Sequence, residues 1–227
     1  MADMHRLLVA ALAFTPLALA ADDHLKRLEE SAAVLEEVMD TPDKSIPQDL
    51  LNKADCVVIV PGLKKGAFIV GAKYGRGFFT CRKKGGVGWS APAAVRVEGG
   101  SFGFQIGGSE TDVIMLVMNE RGVKRLLASK FTLGADASVA AGPVGRSATA
   151  ETDATLRAEI LTWSRSRGAF AGVALNGATL RQDKDTNKDL YGRAIENRDI
   201  ILTDRAAPSG AGRLLSLLNK YSSRKSS

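Results

Sequence analysis

Between residues 56 and 97 the chain carries Lys64, Lys65, Lys73, Arg76, Arg82, Lys83, Lys84 and Arg96, and no Asp or Glu. A segment of one sign sets up a field that draws in anions, whether the phosphate of a lipid or nucleic acid or the carboxylates of an acidic partner. The first seven of these cations are the candidate lipid-binding residues. Their plainer use is as charged strand edges and turns that keep a β-rich protein in solution. Residues 21–55 reverse the balance with ten acids against four bases, so the formal net charge of +6 is unevenly spread.

Bond-making chemistry finds little to work with. Past residue 20 the chain has a single histidine, His24, whereas hydrolytic triads and most metal sites recruit histidine from ordered positions. Cys56 or Cys81 as a nucleophile would lack a histidine base. In "DKDTNKDLYGRA", residues 183–194, Asp183, Asp185, Asn187 and Asp189 stand where a calcium loop places its first ligands. Lys188 replaces the glycine such a loop needs and Ala194 its bidentate Glu, so a helix cap with local side-chain bonding is expected instead. Asp136 and Arg146 flank "ASVAAGPVG" and are expected to pair across a bend, while Trp89 is expected in the core. The expectation is a non-enzyme with no catalytic residue, metal site or cofactor.

The stretch "WSAPAAVRVEGGSFGFQIGG", residues 89–108, holds five glycines in twenty positions and raises the question of a nucleotide loop. A Walker loop would end in Gly-Lys-Ser or Gly-Lys-Thr before a helix, and this stretch ends Gly107, Gly108, Ser109, Glu110. A dinucleotide fingerprint is absent as well. Phe102, Phe104 and Ile106 alternate with Gly103, Gln105 and Gly107, which predicts a strand packed on its aromatic side, its bare face allowing sharp coiling of the sheet.

These residues need elements to hold them. Leu25, Leu28, Ala32, Leu35 and Met39 fall at helical steps between Asp22 and Asp40, one apolar stripe on an otherwise charged helix. Pro47 opens a second, short helix ending before Cys56. "CVVIVPG", "GAFIVGAKYG" and "GFFTCRK" then switch to short β-branched or aromatic runs punctuated by glycine, the pattern of successive strands, and "APAAVRVEGGSFGFQIGG" and "TDVIMLVM" continue it. Asn119 caps a predicted helix in "ERGVKRLLAS". Strand material resumes through "LGADASVAAGPVG", "ATLRAEILTWSRS", "GAFAGVALNG" and "ATLRQ". A helix-prone patch, "DKDTNKDLYGRA", and an amphipathic helix in "GAGRLLSLLNKYSSRK" close the chain, the leucines of the latter expected to pack on the sheet. The class is α+β: an extensive, mainly antiparallel, strongly coiled sheet with helices at the N- and C-terminal ends.

Residues 7–20, "LLVAALAFTPLALA", follow Arg6 and close on Ala18, Leu19 and Ala20, the small-x-small pattern of a signal-peptidase site. Residues 1–20 therefore read as a signal peptide, residues 21–221 as one domain and residues 222–227 as a disordered basic tail. A retained N-terminal anchor is the alternative. After export the protein would be periplasmic or secreted. Cys56 and Cys81 each lie in an apolar strand-like run, which points to two buried free thiols, with a disulfide as the alternative.

"WSAPAAVRVEGGSFGFQIGGSETDVIML" also resembles the core signature of the SYLF domain family. The likeness extends upstream through "IPQDLLNKADCVVIVPGLKKGAFIVGAKYGRG" and downstream through "LGADASVAAGPVGR", "SRSRGAFAGVALNGATLRQD" and "NKDLYGR", covering about residues 30 to 195. The resemblance implies a lipid-binding and scaffolding module without catalytic activity. Eukaryotic members bind phosphoinositides and take part in actin assembly, and bacterial members are mostly exported. Some eukaryotic members bind membranes through an N-terminal amphipathic helix. Here that helix carries Glu29, Glu30, Glu36, Glu37 and Asp40 against Lys26 and Arg27, and an anionic surface repels it. The segment from Lys64 to Lys84, and the tail around Arg213, Lys220, Arg224 and Lys225, are the better candidates.

The expected function is thus an exported, non-enzymatic module engaging anionic lipid head groups or a membrane surface, with no nucleic-acid partner. The alternative is an envelope scaffold with a protein partner, or a homo-oligomer in which the acidic helix and basic sheet meet.

Overall fold

The computed structural model describes residues 17–41, 45–68, 70–85, 87–102, 107–145, 157–166 and 169–222. The first helix, α1 (Leu17–Asp40), buries Leu28, Ala32, Leu35 and Met39 together with Val34 and Val38. Pro47 precedes α2 (Gln48–Lys53), its carbonyl accepting from the N–H groups of Leu50 and Leu51. Four long strands follow: β1 (Cys56–Phe68), β2 (Val70–Cys81), β3 (Ala93–Phe102) and β4 (Gly107–Val117). Next come α3 (Glu120–Leu126), β5 (Lys130–Thr132), β6 (Val139–Ala141), β7 (Ile160–Ser166), β8 (Ala169–Gly172) and β9 (Thr179–Gln182). The helices α4 (Lys184–Tyr191), α5 (Asn197–Ile201) and α6 (Gly212–Tyr221) complete the chain.

The strands form one nine-stranded sheet in the order β5-β9-β3-β2-β1-β4-β7-β6, with β8 sharing the outer edge of β7. Among the described pairings all are antiparallel except β6 with β7. The continuous apolar run of β1 follows from burial on both faces. Val57 and Ile59 join Phe78, Ile114, Leu116 and Trp163 under α1, α2 and α6, whereas Val58, Val60 and Leu63 join Phe79, Val95 and Met115 on the opposite face with Leu126, Phe131 and Ile200. The leucines of α6 pack on α1 as well as on the sheet cluster.

The sheet is strongly curled, as expected, and two glycines outside residues 89–108, Gly62 and Gly77, accompany a bulge in it. A bulge gives β1 one extra residue against β2 between Ile59 and Lys64, with Gly62 at φ 59°. On the partner strand a Cβ at Gly77 would stand 2.1 Å from the Ile59 carbonyl oxygen, so the two backbones approach more closely than any side chain permits. The expected continuous strand through "SFGFQIGG" is instead the end of β3 and the start of β4, which pair with opposite sides of the β1–β2 hairpin. The part of the Phe102, Phe104, Ile106 alternation that falls on residues 103–106 lies outside the described residues.

The two cysteines correct the free-thiol expectation: Cys56 and Cys81 form a disulfide. They are direct cross-strand partners at the open end of the β1–β2 hairpin, both buried. Apolar periodicity assigned each to a strand interior, but only the pairing register shows that they face one another. The bond closes a loop of 25 residues, worth about 3 kcal/mol in the chain-entropy picture. Thiol titration of the denatured, unreduced protein is expected to find neither cysteine reactive, and both after reduction.

Gly77→Ala is expected to destabilise by about 2 to 3 kcal/mol, read as a melting-temperature drop of roughly 5 to 10 °C. Gly66→Ala, with nothing within 4 Å of its added methyl, should leave the melting temperature unchanged or raised.

Candidate functional site

Past Leu63, β1 leaves the two buried clusters and becomes polar. Gly62, at the bulge, donates its N–H to Asp112 Oδ1 at 2.9 Å, and Asp112 Oδ2 accepts from Arg165 Nε at 2.9 Å and Nη2 at 2.6 Å. Arg165 also pairs with Glu37 of α1. This network fixes the bulge to β4, β7 and the first helix, so the residues beyond it emerge at a defined angle.

The seven predicted cations fall in three places. Lys65 and Lys73 are direct cross-strand partners and project from one face. Neither makes an ion pair with a described residue. Partial burial and the Lys73 charge both depress the pKa of Lys65, burial more strongly, as expected where two like charges are held opposite each other. Lys64 and Arg76 occupy the other face. They border a cleft of about 350 Å³ that also takes Arg27, Glu30 and Glu110, so the charge there is mixed. Arg76 donates from Nε to Tyr74 Oη at 2.7 Å and lies 3.3 Å from Asp183 Oδ2.

The third group stands nine or more residues along β2 from Lys73, about 30 Å away at the rise of a strand. Arg82 turns inward. Its guanidinium lies 4.0 Å from the centroid of the Trp89 ring and donates to the Ser222 carbonyl at 2.6 Å, to Ser222 Oγ, to the Leu51 carbonyl at 3.4 Å and to the Ala54 carbonyl at 3.5 Å. Through this one side chain the end of β2 holds α2 and the segment after α6, a structural use of the cation. Lys83 is 3.7 Å from Asp204, and Lys84 is exposed. Lys83 and Lys84 rim a cavity of about 530 Å³ floored by Val123, Leu127 and Ile201.

The acids of α1 from Asp23 onward are engaged within the chain. Arg213 of α6 bridges Glu29 and Glu36, Asp40 accepts from Tyr221 Oη at 2.7 Å, and Glu30 lies 3.8 Å from Lys26. The acidic helix therefore meets basic residues of its own chain, and Arg213, expected as a surface cation, is engaged by it. Lys220 stacks 4.8 Å from the centroid of the neighbouring Tyr221 ring. Arg224 and Lys225 lie outside the described residues.

Other sequence expectations resolve as architecture. Asp183 caps α4 by accepting from Thr186 N at 3.3 Å, and Asn119 caps α3 by accepting from Gly122 N at 3.0 Å. Asn187 accepts from Ala94 N at 2.9 Å and donates to Asn197 Oδ1 at 2.6 Å, tying α4 and α5 to β3. Tyr191 donates to the Pro92 carbonyl at 2.6 Å, and burial pushes its phenol pKa upward. Asp136 accepts from Thr132 N at 2.7 Å, whereas its expected partner Arg146 lies outside the described residues. Trp89 is buried, as expected. His24 sits 3.1 Å from Asp189 Oδ2, joining α1 to α4. Among the described residues no group of three or more His, Cys, Asp or Glu could hold a metal ion, and no described helix is long and apolar enough to cross a membrane.

Arg82→Ala is expected to cost about 2 to 3 kcal/mol, from the loss of charge-assisted hydrogen bonds to buried carbonyls. Urea denaturation measures it, and a midpoint shift below the experimental error would refute the clamp.

Comparison with known proteins places this architecture. Residues 98–221 match the family model described as "Ysc84: Las17-binding protein actin regulator". The human "SH3 domain-containing YSC84-like protein 1" is 35% identical over 181 residues, covering 79% of this chain and 52% of that protein. The Xenopus laevis protein of the same name is 34% identical over 182 residues, covering 79% and 54%. "LAS seventeen-binding protein 3" of Saccharomyces cerevisiae is 35% identical over 174 residues, covering 74% and 37%. The chain spans about half the length, or less, of these curated relatives. With more than half its residues inside the family model and a fold of curled sheet and terminal helices around it, the chain belongs to the Ysc84 family of SYLF-domain proteins.

Proposed function

We propose that this chain is a non-enzymatic module that adheres to anionic lipid head groups, with Lys65 and Lys73 as the principal contact. The carrying observation is the placement of Lys65 directly opposite Lys73 without an ion-pair partner among the described residues. Like charges opposite one another on a sheet are unfavourable, and a phosphate between them relieves the repulsion. The expected basic edge is thereby narrowed, because Arg76 and Arg82 spend their charge inside the fold.

The reading includes export. The leader-like residues 7–20 support it, and so does the disulfide, since such bonds persist in oxidising compartments.

Each Lys near an anionic surface contributes roughly 1 kcal/mol. Co-sedimentation of Lys65→Glu/Lys73→Glu with phosphatidylglycerol vesicles should therefore be about 30-fold weaker or more. Binding of the native chain should fade with added salt. Equal binding by the double variant and the native chain refutes this contact.

A second reading draws on the yeast relative, whose name records binding to LAS seventeen. The cavity floored by Val123, Leu127 and Ile201 offers an apolar seat for a protein partner. Light scattering in a salt series separates the two: a salt-sensitive oligomer without vesicle affinity favours a protein interface.

A further inference from the structure

At the end of β2 remote from the lysine pair the fold leaves apolar surface uncovered. Val123 of α3 and Leu127 at its C-terminal cap stand four residues apart and share a side of the helix, whereas Leu126 is buried against the sheet. Ile201 closes α5, and Leu202 at its cap remains 49% exposed. Cys81 brings its half of the disulfide to the same place. These five side chains line the cavity of about 530 Å³ whose rim carries Lys83 and Lys84. Small-ligand sites measure roughly 300–1,000 Å³. No aromatic ring is among its described lining residues, which suits a flexible alkyl chain better than a planar ring.

The rim carries charges of both signs. Besides Arg82, Lys83 and Lys84 it holds Lys124 and Arg198, against Asp55, Glu120 and Asp204. The acids have partners in the chain: Glu120 lies 3.8 Å from Lys124, Asp204 lies 3.7 Å from Lys83, and Asp55 is likewise engaged. Arg82 directs its donors to α2 and Ser222. Lys84 and Arg198 form no ion pair with a described residue. Glu196, the acid within electrostatic reach of Arg198, is held by Lys184 at 2.7 Å.

We propose that this cavity binds a single-chain amphiphile, its alkyl chain against Val123, Leu127, Ile201 and Leu202 and its oxyanion head, a carboxylate or phosphate, at Lys84 and Arg198. The inference goes beyond the adhesion reading and stands apart from it, because Lys65 and Lys73 lie at the other end of β2. The apolar surface here is recessed. Tyr74, Val87 and Leu202 are the exposed large hydrophobic residues among those described, and of these only Leu202 borders the cavity. A stable protein interface needs about 800 Å² on each partner with apolar area at its centre, whereas one alkyl chain fills a recess. The stems of Lys84 and Arg198 extend the apolar wall while their charges stay at the mouth, where an oxyanion meets them.

Equilibrium dialysis of the full chain against dodecanoate and against dodecyl phosphate, each below its micelle concentration, tests the site. At least one is expected to bind with one molecule per chain, and dodecyltrimethylammonium, with the same alkyl chain and the opposite charge, about tenfold or more weakly. Lys84→Glu/Arg198→Glu is expected to weaken binding of the anion about tenfold or more, and Leu202→Asp about tenfold. Both variants alter exposed side chains and should melt within about 3 °C of the native chain. Equal binding of anion and cation, or binding unchanged in both variants, is detergent-like adsorption and overturns the proposal. Failure of both anions to bind overturns it too, and sedimentation of the same chain with vesicles then leaves the adhesion reading standing. A chain that binds neither anion but doubles its mass by light scattering, unless Leu202 is replaced by Asp, assigns the recess to a second copy and overturns the proposal.

Discussion

β1 is hydrogen-bonded along both edges, and one extra residue at its bulge sets the angle at which everything beyond Leu63 departs from the core. On the β2 side the bulge is possible because Gly77 lets the Ile59 carbonyl come where a side chain would otherwise stand. On the β4 side it is held by Asp112, which takes the Gly62 N–H and passes its remaining oxygen to Arg165. The same guanidinium reaches Glu37, so the angle of the strands and the seat of α1 are fixed by one connected set of groups. Beneath the bulge both faces of the sheet are packed; above it β1, β2 and β4 carry Lys64, Lys65, Lys73 and Glu110.

Charge in this molecule works at two scales. The acid-rich first helix and the base-rich remainder look from composition like two surfaces awaiting partners, yet Arg213 and Arg165 satisfy the helix from within the chain. Lys65 and Lys73 face each other without such a pairing among the described residues. The adhesion proposed for this chain rests on that pair, whereas the acid-rich first helix would oppose an anionic surface. This chain and its eukaryotic relatives share the domain.

Much of the architecture was legible from periodicity and local chemistry. The stripe from Leu28 to Met39 marked the buried face of α1, and the caps at Asn119 and Asp183 are formed where short polar side chains precede helical patterns. Registers were not legible. Alternation tells which face a residue occupies, not who stands opposite, so the Cys56–Cys81 bond and the Lys65–Lys73 confrontation emerge only once β1 and β2 are aligned. Nearness in sequence also misled: a cluster written within twenty-one positions, Lys64 to Lys84, is stretched along the hairpin into separate groups. Arg82 was counted with the surface because its type is usually exposed, and the aromatic ring that draws it inward, Trp89, lies across a turn.

The covalent link at the base of the hairpin has a mechanical corollary. Cys56 and Cys81 sit at the end opposite the hairpin's reversal, so a tug delivered at the reversal reaches a rivet instead of two separable strands. Load is carried through the bond into the packed body, and the hairpin behaves as a stiff lever that resists being peeled apart.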